Sequence, residues 1–212
     1  MPAPSLASLV APGTTAIVTS EVQNGVVGER SALPALAEAA APMIQRLAVL
    51  CSAARSAGVP VIHATASRRA DGAGSNTNAR LFLAVRRSPV ALLPGSEEAA
   101  VVPELGPEPE DLVLHRLHGL NPMAGTDLDP ILRNLGVRTL VVTGVSVNVA
   151  VTNLVMDAVN LGYQVVVPRD AVCGIPAAYA DAVIDGTLAL LATITTVDDL
   201  LAAWTPDEEA PS

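Results

Sequence analysis

Residues 138–172, RTLVVTGVSVNVAVTNLVMDAVNLGYQVVVPRDAV, decide the fold. Arg138 to Gly144 is a run of β-branched and apolar residues that reads as a buried strand. Val147 to Leu161 reads as a helix closed by Gly162, since glycine accepts the left-handed turn after a helix. Tyr163 to Pro168 reads as a second buried strand. Strand, helix and strand in about 30 residues make a βαβ unit, which pairs its strands in parallel. Thr139 to Met156 holds no charged residue, a length that touches the spanning threshold of about 18 residues. Gly144, Ser146, Asn148, Thr152 and Asn153 interrupt it, so no membrane span is expected.

Outward from this unit the alternation continues. Thr15 to Ser20 (TAIVTS), Val59 to Ala64 (VPVIHA), Asp111 to His115 (DLVLH) and Thr193 to Val197 (TITTV) read as strands. Helices are expected at Leu33–Ala57, Leu81–Arg87, Asp127–Leu135, Pro176–Leu191 and Asp198–Trp204. Pro34 and Pro42 suit a first turn or a break. Thr65 to Arg80 and the proline-rich Pro89 to Glu110 read as irregular connections. Six short strands alternating with helices predict an α/β fold, a mainly parallel sheet covered on both faces. Residues 1–13 are expected to be a loose arm, 14–204 a single domain and 205–212 an acidic tail. In such sheets ligands bind beyond the carboxyl ends of the strands. The candidate segments are therefore Glu21–Asn24, His63–Thr65, His115–His118, Gly144–Asn148 and Asp170–Cys173.

Composition narrows the function. The 212 residues carry a formal net charge of −9, with 50% hydrophobic and 16% charged residues. That apolar content argues against disorder. The acidic balance argues against nucleic-acid and anionic-membrane partners. The aromatic residues are Phe82, Tyr163, Tyr179 and Trp204, too few for a stacking platform. Cys51 and Cys173 make no disulfide framework, and the N-terminus lacks the basic start of a signal peptide, so a cytoplasmic location is expected. His63, His115 and His118 have no metal-ligand spacing, and neither metal nor cofactor is expected. A small-molecule ligand is the expected partner.

Three stretches carry a resemblance. TAIVTSEVQNG (15–25), GTDLDPILRNLGVRTL (125–140) and LVVTGVSVNVAVTNLVMDAVNLGYQVVVPRDAV (140–172) resemble motifs of the isochorismatase-like (cysteine hydrolase) superfamily. The resemblance extends from Thr15 to Trp204. It implies a Rossmann-like three-layer sandwich with a six-stranded sheet, assembled as homodimers or homotetramers. It also implies a non-proline cis peptide at Val145–Ser146.

The family's chemistry rests on an Asp base, a Lys partner and a Cys nucleophile. Here the Asp position is Glu21 and the Cys position is Ala150. The Lys position is Arg116 counted from strand three, or Leu117 counted back from Gly125–Thr126. Ala150 removes the covalent thiol route unless Cys173 substitutes; the alternative for Cys173 is a small buried hydrophobe. Glu21 and Arg116 are the catalytic candidates, with a mutual ion pair as the plain alternative. The substrate-side candidates are Gln23, Ser146, Asn148 and Ala150 in the stretches that carry the resemblance, with His63 and His118 at strand ends and Arg80 as a cation. For Gln23, with Asn24, the alternative is fixing the loop; for His63 it is a satisfied core histidine. One branch of the superfamily hydrolyses a vinyl ether without the cysteine, which leaves Glu21 as an acid–base group and Arg116, with Arg80 or Arg68, as an anion clamp. Two readings follow: a cysteine-less hydrolase of a small carboxylated metabolite, or an inactive pseudoenzyme that binds a ligand or partner.

Overall fold

The computed structural model describes residues 4–205. Its elements in chain order are α1 (Leu6–Leu9), β1 (Thr15–Ser20), α2 (Pro34–Ser56), β2 (Val61–Ala66), α3 (Arg80–Arg87), β3 (Leu112–Arg116), α4 (Leu128–Asn134) and β4 (Thr139–Val145). There follow α5 (Thr152–Asn160), β5 (Gln164–Pro168), β6 (Val172–Cys173), α6 (Ala177–Gly186), β7 (Thr193–Thr195) and α7 (Val197–Trp204). The sheet runs β3-β2-β1-β4-β5-β7, with all pairings parallel. The expected six strands are present, and a short seventh joins them. β6 pairs with the end of β4 at Gly144↔Val172 and Val145↔Cys173, beyond Val141↔Val166, where the pairing of β4 with β5 ends. Two residues are too few to show a period, so no pattern marks this strand in the sequence.

Every residue of β1 and β4 is buried, as a sheet covered on both faces requires. Val141, Val145 and Ile17 face α2 and α7. Leu140, Val142, Ala16 and Val18 face α4, α5 and α6. The long helix α2 buries Leu36, Ala40, Met43, Ile44, Leu47, Leu50, Cys51 and Ala54, a stripe with helical spacing. Pro34 opens the helix, while Pro42 lies inside it without breaking it. Glu38 and Pro42 are both exposed, so the carbonyl that loses its helical partner faces water.

The N-terminal segment corrects one expectation. From Leu6 it is not loose: Leu6 and Leu9 pack on the core and Val10 is fully buried. Thr139 Oγ1 donates to the Leu9 carbonyl (2.7 Å), and Trp204 Nε1 donates to the Val10 carbonyl (2.8 Å). Three apolar residues within five positions were enough to dock it. Of the acidic tail, all beyond Thr205 lies outside the described residues. Among the described residues no helix is long and apolar enough to cross a membrane.

A second feature pins the long connection before β3. Asp111 accepts from Arg55 Nε (3.1 Å) and Nη2 (2.7 Å) and from the Glu108 N–H (2.9 Å). Its side chain is 3% exposed, and His63 Nε2 lies 3.3 Å from it. His63 Nδ1 meets Thr19 Oγ1 at 2.9 Å. Burial pushes the His63 imidazole below its ordinary value, and Asp111 restores it only in part. A depressed histidine contributes stability that is complete above its unfolded value of about 6.5 and is lost as pH falls through the folded one. Denaturant unfolding from about pH 7.5 to about pH 5 should show that loss, and His63→Gln should flatten the slope in this window. An unchanged slope would assign the acid sensitivity to other groups.

Candidate active site

The strand order reverses between β1 and β4, and the site begins where these two strands end. Glu21 follows β1 directly. Its φ of 54° is the left-handed region, uncommon for any residue but glycine. Such a conformation costs about 1–3 kcal/mol and persists only where surrounding bonds enforce it. Here the Glu21 N–H donates to the Ala64 carbonyl and the Gln23 N–H to the Glu21 carbonyl, both at 2.9 Å. The turn sends the Glu21 carboxylate to Arg116, the last residue of β3, and the two form an ion pair through Arg116 Nη2. The Arg116 side chain is 4% exposed and that of Glu21 20%. Among the described residues, Arg116 Nε and Nη1 have no partner.

This pair stands in the wall of a cavity of about 470 Å³. Ser67 and Arg68 after β2, and Leu117 and His118 after β3, line it. So do Leu81, Phe82 and Val85 of α3. Of the two positions proposed for the family lysine, Arg116 is the one that meets Glu21; Leu117 is 45% exposed and presents only carbon. No lysine occurs anywhere in the chain, so its strong cations are all guanidinium groups.

Other candidates are placed differently. Gln23 is fully buried; its amide donates to the Ala66 (2.9 Å) and Ala99 (2.8 Å) carbonyls and accepts from the Ala66 N–H (2.8 Å). With those bonds made it ties the end of β2 to the segment at Ala99, as the loop-fixing reading expects. His63 lies in the sheet with both ring nitrogens engaged, as a core histidine. Arg80 opens α3, exposed and outside the cavity lining. Ser146, Asn148 and Ala150 also lie outside that lining. Ser146 Oγ bonds to Asn148 Oδ1, and Ala150 is 2% exposed.

The segment that carries these three departs from the expected single helix. Val147–Val151 is a wider π-helical turn, and α5 begins only at Thr152. Such turns recur at functional sites. The Val145–Ser146 peptide is cis, as the resemblance implied. Cys173 is half-buried beside Val145, and burial pushes its thiol above the ordinary value against a smaller opposing effect of the Gly174 N–H. A raised thiol holds little thiolate, the reactive form. Cys51 is fully buried and pushed up to about 12 by burial.

The sequence reading missed the cavity's roof. The sequence signal is Leu81 and Val85, apolar and four residues apart on a short arginine-rich helix; in the structure both are exposed by more than two-fifths and line the cavity.

Comparison with known proteins agrees with this fold. Residues 15–199 match the model of the Isochorismatase domain. A ureidoacrylate amidohydrolase of Pseudomonas syringae pv. syringae is 31% identical over 174 residues, covering 76% of this chain and 71% of that protein. The structure of an isochorismatase family protein from Desulfovibrio vulgaris superposes with a TM-score of 0.78 at 29% identity, over 89% of this chain and 98% of the other. A cysteine hydrolase from Pseudomonas syringae pv. phaseolicola shares the fold, with a TM-score of 0.82 at 24% identity over 96% and 98% of the two chains.

Proposed function

Because the chain belongs to the isochorismatase domain family, we propose that it is a hydrolase of a small carboxylated metabolite that works without a covalent thiol intermediate. The observation that carries this reading is the meeting of Glu21 and Arg116, at the family's Asp and Lys positions, in the wall of one cavity. In an ion pair Glu21 is a carboxylate, which accepts protons and has none to give at the start. That suits the general-base route better than protonation of a vinyl ether. Glu21 takes a proton from a water, the water oxygen attacks the acyl carbon, and the C–N or C–O bond breaks as Glu21 returns the proton to the leaving atom. Arg116 holds the carboxylate in place and balances its charge.

Glu21→Gln should keep the fold and lower turnover roughly 10²–10⁴-fold on a panel of carboxylated amides, ureides and enol ethers. Turnover unaffected by this change would remove Glu21 from the reaction. The closed Glu21–Arg116 contact favours a second reading, a binding protein with no turnover, in which Glu21→Gln alters affinity alone.

A further inference from the structure

Buried polar side-chain atoms in folded proteins are nearly always paired. Among the described residues six are not: Ser20 Oγ, Ser67 Oγ, Arg68 Nε, Ser75 Oγ, and Arg116 Nε and Nη1. All but Ser20 Oγ belong to residues that line the cavity. Arg116 is the strongest case. Its guanidinium stays charged under any ordinary condition and offers five N–H donors. Nη2 is engaged with Glu21, while Nε and Nη1, on either side of that contact, are buried without a partner. The Ser67 N–H donates to the Arg116 carbonyl (2.9 Å), which sets the two residues side by side on the wall. Ser67 is itself 8% exposed. Unpaired donors gathered on one wall mark where a ligand's acceptor belongs.

The charge of the wall points the same way. Arg68, Arg86, Arg87 and Arg116 line the cavity against one carboxylate, Glu21. This excess of cations stands out in a chain of net charge −9. Away from the arginines the lining is largely hydrocarbon, with Leu33, Leu81, Phe82, Val85, Leu92 and Leu117 beside a few polar residues such as Asn76 and His118. A fully polar acid would leave that surface wet, and a neutral hydrocarbon would leave the donors unpaired.

We propose that the cavity binds an organic anion with an apolar body, its carboxylate on Arg116, Ser67 and Arg68 and its hydrocarbon along Leu81, Phe82, Val85 and Leu92. The inference rests on the site of the hydrolase reading and names its class of ligand, but it does not require turnover. Octanoate is a suitable probe, since it carries both features and no hydrolysable bond.

Titration calorimetry on the full chain should show octanoate binding roughly tenfold or more tighter than octanamide, which lacks the charge, and than acetate, which lacks the body. The double variant Ser67→Ala, Arg68→Gln should weaken octanoate by roughly tenfold or more, with the thermal melt unchanged. Val85→Asn, at a partly exposed helix position, should weaken octanoate and leave acetate as it was. Octanamide binding as tightly as octanoate would overturn the anion seat, as would full affinity in the double variant. Acetate binding as tightly would overturn the apolar arm. Because octanoate is not turned over, a failed hydrolysis assay with intact octanoate binding would sink the hydrolase reading and spare this one.

Discussion

Gly144→Ala is expected to destabilise the protein by about 3 kcal/mol or more, a fall in Tm of roughly 6–12 °C for a domain of this size. Gly144 has a φ of 94°, where an alanine is strained in any surroundings. A Cβ there would also lie 2.4 Å from the Ser20 carbonyl oxygen, 2.8 Å from its nitrogen and 2.9 Å from Val22 Cγ2. Two of these atoms are backbone and cannot rotate aside. Ser20 is the register partner of Gly144 across the β1–β4 ladder, so the ladder would have to open at its carboxyl end. That movement would carry Glu21 away from Arg116, and ligand binding should fall in the fraction that remains folded. Gly162→Ala is the control: its φ is 88°, yet a Cβ would meet nothing within 4 Å. It should cost only about 1 kcal/mol. Equal melts for the two variants would show that the close approach of β1 and β4 has no energetic weight.

Asp111→Ala should cost about 3–5 kcal/mol, because removing one partner strands the other charge in a buried place. The Arg55 side chain is 16% exposed and would lose both carboxylate contacts, and the Glu108 N–H and His63 would each lose an acceptor. Burial raises the Asp111 carboxyl, but the Arg55 and Glu108 bonds, the Arg55 charge and the His63 bond outweigh it and hold it below the ordinary value. Its contribution is therefore present above its unfolded value of about 3.9 and is lost as pH falls through the lower folded one, a window more acidic than that of His63. Denaturant midpoints for Asp111→Ala, Arg55→Met and the double variant would measure the coupling. The double variant should cost less than the two single changes added together. Strict additivity would mean that the ion pair contributes nothing of its own.

The fold was legible because the strands are short apolar runs and the helices end on glycines. Thr15–Ser20 has the predicted bounds, and Gly58, Gly136 and Gly162 each follow a predicted helix with positive φ. Strand β2 runs two residues later than read, since Val59 and Pro60 are extended and apolar but precede the ladder. Glu21 and Arg116 were legible as a pair through the resemblance, which sets them at the family's Asp and Lys positions, with Leu117 left open beside Arg116 until the structure showed which one meets Glu21. The cavity around them was not. Its walls come from residues 21–33, 66–92 and 116–120, mostly irregular backbone or one short helix, where no period reports which side chains converge. Gln23 fixes the loop, one of its two readings, for a reason the sequence does not display. A polar residue beside a site looks like a ligand contact until the carbonyls that occupy it, here 43 and 76 residues away, are in view.

Trp204, the only tryptophan, is fixed by its indole N–H to the Val10 carbonyl. The emission of this protein therefore watches the seam between α1 and α7, where Leu6 and Leu9 pack beside Trp204. A change in emission before the global transition would register fraying of that seam, while α3 and the cavity wall stay dark. Shortening the chain to Thr14 would expose the indole to water and red-shift it, giving an optical reading of terminal docking with no label added.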